Sequence, residues 1–125
     1  MSFDWTEYLN LAQDLAGQKV APPTKEAKSR SAISRAYYAA FCKARNHLRD
    51  KEGCLIPCTG DAHRIVRDTF KDSPDSRRKK IGVNLNRLRE DRRKADYDDS
   101  MKSLPDITRI ALIKSDQIVT ELDRL

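Results

Sequence analysis

The chain has 125 residues with a formal net charge of +6, and 38% of them are hydrophobic and 35% charged. This length fits one domain, residues 1–125, with a core that needs no disulfides, and three cysteines are a poor disulfide framework. Because no apolar run reaches the roughly 18 residues of a membrane span, and residues 1–17 lack a signal-peptide pattern, we expect a cytoplasmic protein.

Apolar residues recur at helical spacing between glycine and proline breaks, without the alternation typical of strands. The pattern predicts five helices, over residues 4–16, 25–51, 61–71, 73–97 and 104–122. Asp4 and Ser73 are the predicted N-caps of the first and fourth helices, and Pro74 opens the fourth. Short connections then predict an all-α fold, an antiparallel up-and-down bundle of four or five helices.

The second helix has the widest apolar stripe, which indicates that other helices pack around it. Its predicted core residues are Ile33, Ala36, Tyr37, Ala40, Phe41, Ala44 and Leu48. A polar and aromatic stripe lies beside them and consists of Arg35, Tyr38, Cys42 and Arg45. We therefore expect this helix to be the centre of the bundle, with candidate functional residues along the polar stripe.

Residues 77–94 hold nine basic and two acidic side chains, so this segment alone carries +7 while the rest of the chain is close to neutral. Such concentrated charge favours an anionic partner, RNA or nucleotide, although a solvated helix face is the alternative. The residues predicted to bind nucleic acid are Arg35, Tyr38, Arg77, Arg78, Lys79, Lys80, Arg89, Arg92, Arg93 and Tyr97.

One of these basic residues interrupts the apolar stripe of the fourth helix. Viewed down the helix axis, at about 100° per residue, Arg92 lies within roughly 20° of the middle of the apolar stripe. That stripe is formed by Ile81, Leu85, Leu88 and Ala95. A guanidinium group in that position requires a partner, and Asp96 lies one turn later. The sequence therefore predicts a partly buried Arg92–Asp96 pair, which either fixes helix register or holds an arginine ready for a phosphate.

Two segments together resemble the HEPN domain family. They are residues 34–41, Ser-Arg-Ala-Tyr-Tyr-Ala-Ala-Phe, and residues 92–98, Arg-Arg-Lys-Ala-Asp-Tyr-Asp, with His63 and Phe70 between them. The opening residues, Phe3-Asp4-Trp5 through Leu11-Ala12, also resemble the first helix of the prokaryotic branch, so the likeness covers essentially the whole chain. It implies a helical bundle, usually a homodimer, in a prokaryotic toxin–antitoxin or defence system. Many members are metal-independent RNases, and many are encoded beside a minimal nucleotidyltransferase, which makes an antitoxin of that type a possible partner.

The chain departs from the nuclease motif of that family, an arginine followed by a histidine after four to six residues. Its histidines are His47 and His63, and neither follows an arginine at that spacing, so the obvious general acid or base is missing. The remaining catalytic candidates are Arg92, Asp96 and His63. His63 also shares a face with Val66 and Phe70, which is typical of a histidine at a core edge.

Neither a metal nor another cofactor is expected. Cys54, Cys58, His47 and His63 are possible zinc ligands, but they lack the closely spaced cysteine pairs of common structural sites. Family members carry a modified tyrosine near the motif, and the resemblance leaves open whether Tyr97 is modified.

Three hypotheses follow for the function. The first is a HEPN-type module that binds RNA or nucleotide, and the second is a metal-independent RNase with a degenerate site. The third is a protein-interaction bundle in which the Arg92–Asp96 pair is structural. The missing motif histidine favours the first and third hypotheses over the second, and the +7 segment favours the first over the third.

Overall fold

The computed structural model describes residues 2–125 as five α-helices, with no strand among those residues. The helices are α1 (Thr6–Leu15), α2 (Lys25–Lys51), α3 (Asp61–Lys71), α4 (Ser76–Tyr97) and α5 (Leu104–Arg124). The predicted all-α bundle is confirmed. No helix in this part of the chain is long and apolar enough to span a membrane.

Helix α2 packs against α3, α4 and α5 at the centre of the bundle. All seven of its predicted core residues are buried, and Val66, Phe70, Leu88 and Ile118 of the surrounding helices pack into the same core. Helix α4 runs antiparallel to α2, as Glu52 pairs with Arg78 while Ser34 pairs with Asp96. Segment 52–60 returns along α2, so α3 starts beside the middle of that helix.

Of the two predicted caps, Asp4 forms the expected hydrogen bond at the start of α1 and Ser73 does not cap α4. The side chain of Asp4 accepts a hydrogen bond from the Thr6 amide at 3.0 Å, as predicted for the start of α1. Ser73 does not cap α4, which begins at Ser76 instead. The Asp75 carboxylate accepts from the amides of Arg77 and Arg78 at 2.8 and 3.3 Å, and a carboxylate suits the positive end of the helix.

Gly82 allows α3 and α4 to approach closely. A Cβ atom at this position would lie 2.3 Å from the backbone nitrogen of Lys71, which is closer than any real contact. The end of α3 therefore rests directly on the backbone of α4. This close approach fixes the spacing between the helix that carries His63 and the helix that carries Arg92.

A fully buried arginine joins the chain start to the end of α4. Nη1 of Arg30 donates to the carbonyl oxygens of Ala95 at 2.9 Å and Asp98 at 2.7 Å. Its guanidinium carbon lies 4.4 Å from the ring centroid of Phe3 and 5.1 Å from that of Trp5. The cation thus satisfies carbonyls at the negative end of a helix and holds the first aromatic residues against it.

We expect Arg30→Met to lower the free energy of unfolding by about 2–4 kcal/mol, because it leaves two carbonyl groups without their charged donor. The matched control is Arg35→Met on the same helix, where the arginine is exposed and the cost should stay below about 1 kcal/mol. Urea melts followed by fluorescence measure both, and Trp5 is the sole tryptophan. Equal losses for the two variants would contradict this role for Arg30.

Candidate functional site

Arg92 lies on α4 at its junction with α2, as the sequence predicted. Its Nη1 atom is 3.6 Å from the Asp96 carboxylate, and the two side chains are 16% and 21% exposed. The guanidinium carbon also lies 5.8 Å from the ring centroid of Tyr37 and 5.3 Å from that of Tyr38. The pair is therefore partly buried, and the cation faces two aromatic rings of α2.

Asp96 is held in place by hydroxyl groups from two other helices. Its Oδ2 accepts from the Ser34 hydroxyl at 3.1 Å, and its Oδ1 accepts from the Tyr8 hydroxyl at 3.2 Å. Burial and the nearby Asp96 charge raise the pKa of Tyr8, so this tyrosine remains a neutral donor. With both oxygens engaged, Asp96 positions Arg92 and is a poor candidate for proton transfer.

His63, which the sequence left as an outlying candidate, lies beside this pair. Its ring stacks on Phe41 with the centroids 4.2 Å apart, and its Nδ1 is 2.5 Å from the Tyr37 hydroxyl. Burial raises the pKa of Tyr37 to about 12, so the phenol keeps its proton at neutral pH. No other hydrogen-bond partner of that hydroxyl exists within residues 2–125, so we assign it as the donor to Nδ1, with the ring proton on Nε2.

The electrostatics of the site keep His63 neutral. Burial lowers its pKa first, and the positive charges of Arg89 and Arg92 lower it further. A neutral imidazole with its proton on Nε2 has one N–H donor, which suits an acceptor such as a phosphate oxygen. As a base it first has to transfer that proton, so the resting arrangement suits binding better than catalysis.

Arg89 is the cation of the site that has no ion-pair partner, although its charge acts on the exposed Glu90. It is half-buried, and the described part of the chain offers it neither an ion pair nor a hydrogen bond. Its charge nevertheless acts on both Tyr37 and His63. Nearby Arg67 is different, because it donates to Asp68 at 2.9 Å and to Asn86 at 3.3 Å. We call Arg89, Arg92 and His63 together the cationic cluster.

The structure does not bring all the predicted nucleic-acid-binding residues to this cluster. Residues 77–80 lie at the other end of α4, and 14 residues of helix place Arg78 about 21 Å from Arg92 along the axis. Arg78 donates to Glu52 at 2.5 Å and to Ser73 at 3.1 Å, and it lies over the Phe70 ring. Arg78 thus holds the end of α2 to the start of α4 and is not free for a ligand.

The other predicted residues are spread over several surfaces. Arg77 is exposed and lies 3.6 Å from Asp75, whereas Lys79 and Lys80 are exposed near the same end of α4. Arg35 borders a shallow groove between α2 and α5, away from His63. On the outer face of α4, Arg93 pairs with Glu90 at 2.9 Å, and Tyr97 is 70% exposed. Only Tyr38, Arg89 and Arg92 of the predicted set surround His63.

A cleft of about 500 Å³ opens beside the cationic cluster. It lies between α2, segment 53–60 and the start of α3, and its walls include Tyr38, Phe41, Arg45, Pro57, Cys58 and His63. All three cysteines are free thiols. The described residues contain no group of three or more histidine, cysteine, aspartate or glutamate side chains placed to hold a metal ion.

Sequence reasoning missed the hydroxyl groups that orient the site. The apolar spacing placed Tyr37 in the core, where it is 1% exposed, but not its hydroxyl against His63. Ser34 and Tyr38 are four residues apart, and with Phe41 and Arg45 they mark the edge of the core stripe that faces α3 and α4. That spacing was an available signal, but the predicted polar stripe of α2 shared only Tyr38 and Arg45 with this edge.

The chain matches no protein-family model, no curated protein and no solved structure. The resemblance to the HEPN family therefore depends on the sequence pattern alone. A function for the chain has to be inferred from the geometry of the cationic cluster and the chemistry of its side chains.

We expect Arg89→Gln to raise the pKa of His63, because it removes a positive charge that disfavours the imidazolium form. The control is Arg87→Gln, which removes the same charge from the exposed side of α4. An NMR titration of the imidazole Cε1 protons measures both, and wild-type His63 should titrate below its ordinary value of about 6.5. An equal effect of the two variants would contradict the proximity of Arg89 and His63.

Asp96→Ala should lower the free energy of unfolding by about 2–4 kcal/mol, because Arg92 and two hydroxyl groups lose their partner in a partly buried position. Glu90→Ala, which breaks an exposed pair on the same helix, should cost less than about 1 kcal/mol. Denaturant melts of the two variants compare them directly. A loss below 1 kcal/mol for Asp96→Ala would mean that the pair contributes no more than a surface ion pair.

Proposed function

We propose that this protein binds RNA or nucleotide, with the cationic cluster as the phosphate site. The observation that carries the proposal is the half-buried Arg89, which has neither an ion pair nor a hydrogen bond in the described chain and lies near Arg92 and the neutral His63. Partly desolvated arginines bind phosphate oxygens strongly, since charged hydrogen bonds gain strength where water is scarce. Tyr38, which is 40% exposed next to Arg92, adds an aromatic surface for a base.

The biological setting of the proposal comes from the resemblance to the HEPN family. On that basis we propose a cytoplasmic component of a prokaryotic toxin–antitoxin or defence system. A homodimer and a nucleotidyltransferase-type antitoxin are the expected partners. Light scattering of the purified protein tests the dimer, and a monomer at every concentration measured would remove that part of the proposal.

A metal-independent RNase is the second candidate, because His63 lies next to Arg92 despite their separation in sequence. In such a reaction the 2′-hydroxyl attacks the adjacent phosphorus as a base removes its proton, and the bond from phosphorus to the 5′-oxygen breaks. An acid or water protonates the leaving 5′-oxygen, and arginine stabilises the negative charge on the phosphoryl oxygens. In the tautomer assigned above, the Tyr37 hydroxyl donates to Nδ1 of His63, and the ring proton is on Nε2. The histidine must therefore exchange protons before it can act as the base, and we rank binding first.

The test of the proposal is binding of a fluorescent single-stranded RNA over a series of salt concentrations. Affinity should fall steeply as the salt concentration rises. A plot of the logarithm of the binding constant against the logarithm of the salt concentration should have a slope of about −0.7 for each phosphate neutralised. Arg89→Gln should weaken binding about ten-fold and make the slope shallower by about 0.7, since one contact is lost. Arg87→Gln should have a much smaller effect. No binding by the wild-type protein at low salt would refute the proposal and favour a protein-interaction bundle.

A cleavage time course on the same RNA separates binding from catalysis. Binding of the RNA without its cleavage supports the proposal that the protein is an RNA-binding module and not a nuclease. Cleavage that persists in EDTA and disappears in both Arg92→Ala and His63→Ala would establish the RNase instead. The Arg92 variant requires a melting curve beside the assay, because that residue also supports the fold.

A further inference from the structure

We infer that the cleft beside His63 is a base-binding subsite for single-stranded RNA, in which one base stacks on Tyr38 and the neighbouring phosphate binds Arg45. The inference rests on the proposed function, since it names what binds next to the cationic cluster. The sequence-based set of binding residues contains Tyr38 but not Arg45, and it contains no residue of segment 53–60.

The size and walls of the cleft suit one nucleotide. Its volume of about 500 Å³ falls within the usual range for small-molecule sites. Its walls include the aromatic residues Tyr38, Phe41 and His63, together with Ile56 and Pro57 of segment 53–60. An apolar slot with an aromatic wall accepts the flat face of any base, so we expect stacking without strong sequence preference.

Arg45 places a cation without an ion-pair partner on the wall of this cleft, and its charge also acts on the Asp50 carboxylate. Its Nε donates to the Asn46 side chain at 3.0 Å, and its guanidinium carbon lies 5.9 Å from the Phe41 ring centroid. No carboxylate among residues 2–125 forms an ion pair with it. Arg49, one turn later on the same wall, instead donates to both carboxylate oxygens of Asp50 at 2.7 and 3.1 Å. The terminal nitrogens of Arg45 thus remain available to a phosphate.

Tyr38 connects the cleft to the cationic cluster. Its ring centroid lies 5.3 Å from the Arg92 guanidinium carbon and 6.2 Å from the centroid of the His63 ring. A base stacked on this tyrosine therefore has Arg92 on one side and the cleft with Arg45 on the other. This arrangement, with a phosphate site on each side of an aromatic surface, fits a continuous single strand better than a lone phosphate or a duplex.

The first test compares RNA with a polyanion that has no bases. The probes are a short single-stranded RNA with one 2-aminopurine and inorganic polyphosphate of similar length. Wild-type protein should bind the RNA at least about ten-fold more tightly, since stacking contributes about 1–3 kcal/mol per base, and should change the 2-aminopurine fluorescence. Tyr38→Ala should lose both the preference and the fluorescence change.

Arg45→Gln tests the phosphate contact in the cleft. We expect RNA binding to weaken about five- to ten-fold and the salt slope to become shallower by about 0.7. The matched control is Lys43→Gln on the same helix, where the lysine pairs with Asp123 toward α5. If the Tyr38→Ala and Arg45→Gln variants bind RNA like the wild type while Arg89→Gln does not, the cleft is not a base-binding subsite. The proposed function at the cationic cluster would still stand. No RNA binding by the wild type would remove both.

A footprint on the wild-type protein requires no variant. Cys58 is exposed and lies on the wall of the cleft. Saturating RNA should slow its alkylation by N-ethylmaleimide at least several-fold, as measured by mass spectrometry, whereas polyphosphate should protect it much less. If bound RNA leaves the alkylation rate of Cys58 unchanged, the inference is overturned, because the RNA then does not occupy the cleft.

Discussion

The packing of the first residues of the chain, α2 and the end of α4 depends on the buried guanidinium group of Arg30. It satisfies two carbonyl groups at the end of α4 and faces the first aromatic residues of the chain, so three parts of the sequence meet around one charge. Its Nε and Nη2 atoms have no hydrogen-bond partner, and the nearby Glu26 lies 3.8 Å away on the surface. Such a cation is costly to bury, which makes any loss of its remaining contacts severe.

The same end of α4 carries the charged residues of the candidate site. Tyr8, whose hydroxyl is also 3.1 Å from the Ala95 carbonyl oxygen, reaches Asp96, and Asp96 in turn holds Arg92 toward α2. The helix end that Arg30 fixes is therefore the helix end that orients Arg92. Stability and charge placement are coupled here, so a variant of Arg30 should disturb the cationic cluster as well as the fold. Arg89 lies two turns before Asp96 and is free of this network, which makes it the cleaner probe of binding.

Much of the fold could be predicted from the sequence because it depends on local patterns. The apolar spacing of α2 identified its seven core residues, and the same spacing identified Arg92 as a polar residue within a helix seam. Arg30 interrupts the apolar stripe of α2 in the same way, three residues before Ile33. Its burial could therefore have been predicted from the same spacing that identified Arg92. The helix starts were less reliable, since Ser73 and Asp75 are both good caps and only tertiary packing chooses between them.

The candidate site was less predictable because it depends on which helices meet. No local pattern shows that segment 52–60 returns along α2 and thereby places His63 against Tyr37 and Phe41. The sequence shows that residues 77–94 carry a net charge of +7. A net charge does not show which of the arginines are paired with acidic side chains. Arg78 and Arg93 have acidic partners, whereas Arg89 has none in the described chain, and that difference exists only in three dimensions.

The central claim is that Arg89 and Arg92, and not the basic surface of α4 in general, receive the phosphate. The most direct measurement is the NMR spectrum of the arginine Nε–H groups during titration with a short single-stranded RNA. We expect the signals of Arg89 and Arg92 to shift with the first equivalent of RNA while those of Arg77 and Arg87 barely move. Shifts confined to Arg77 and Arg87, with Arg89 and Arg92 unchanged, would contradict it.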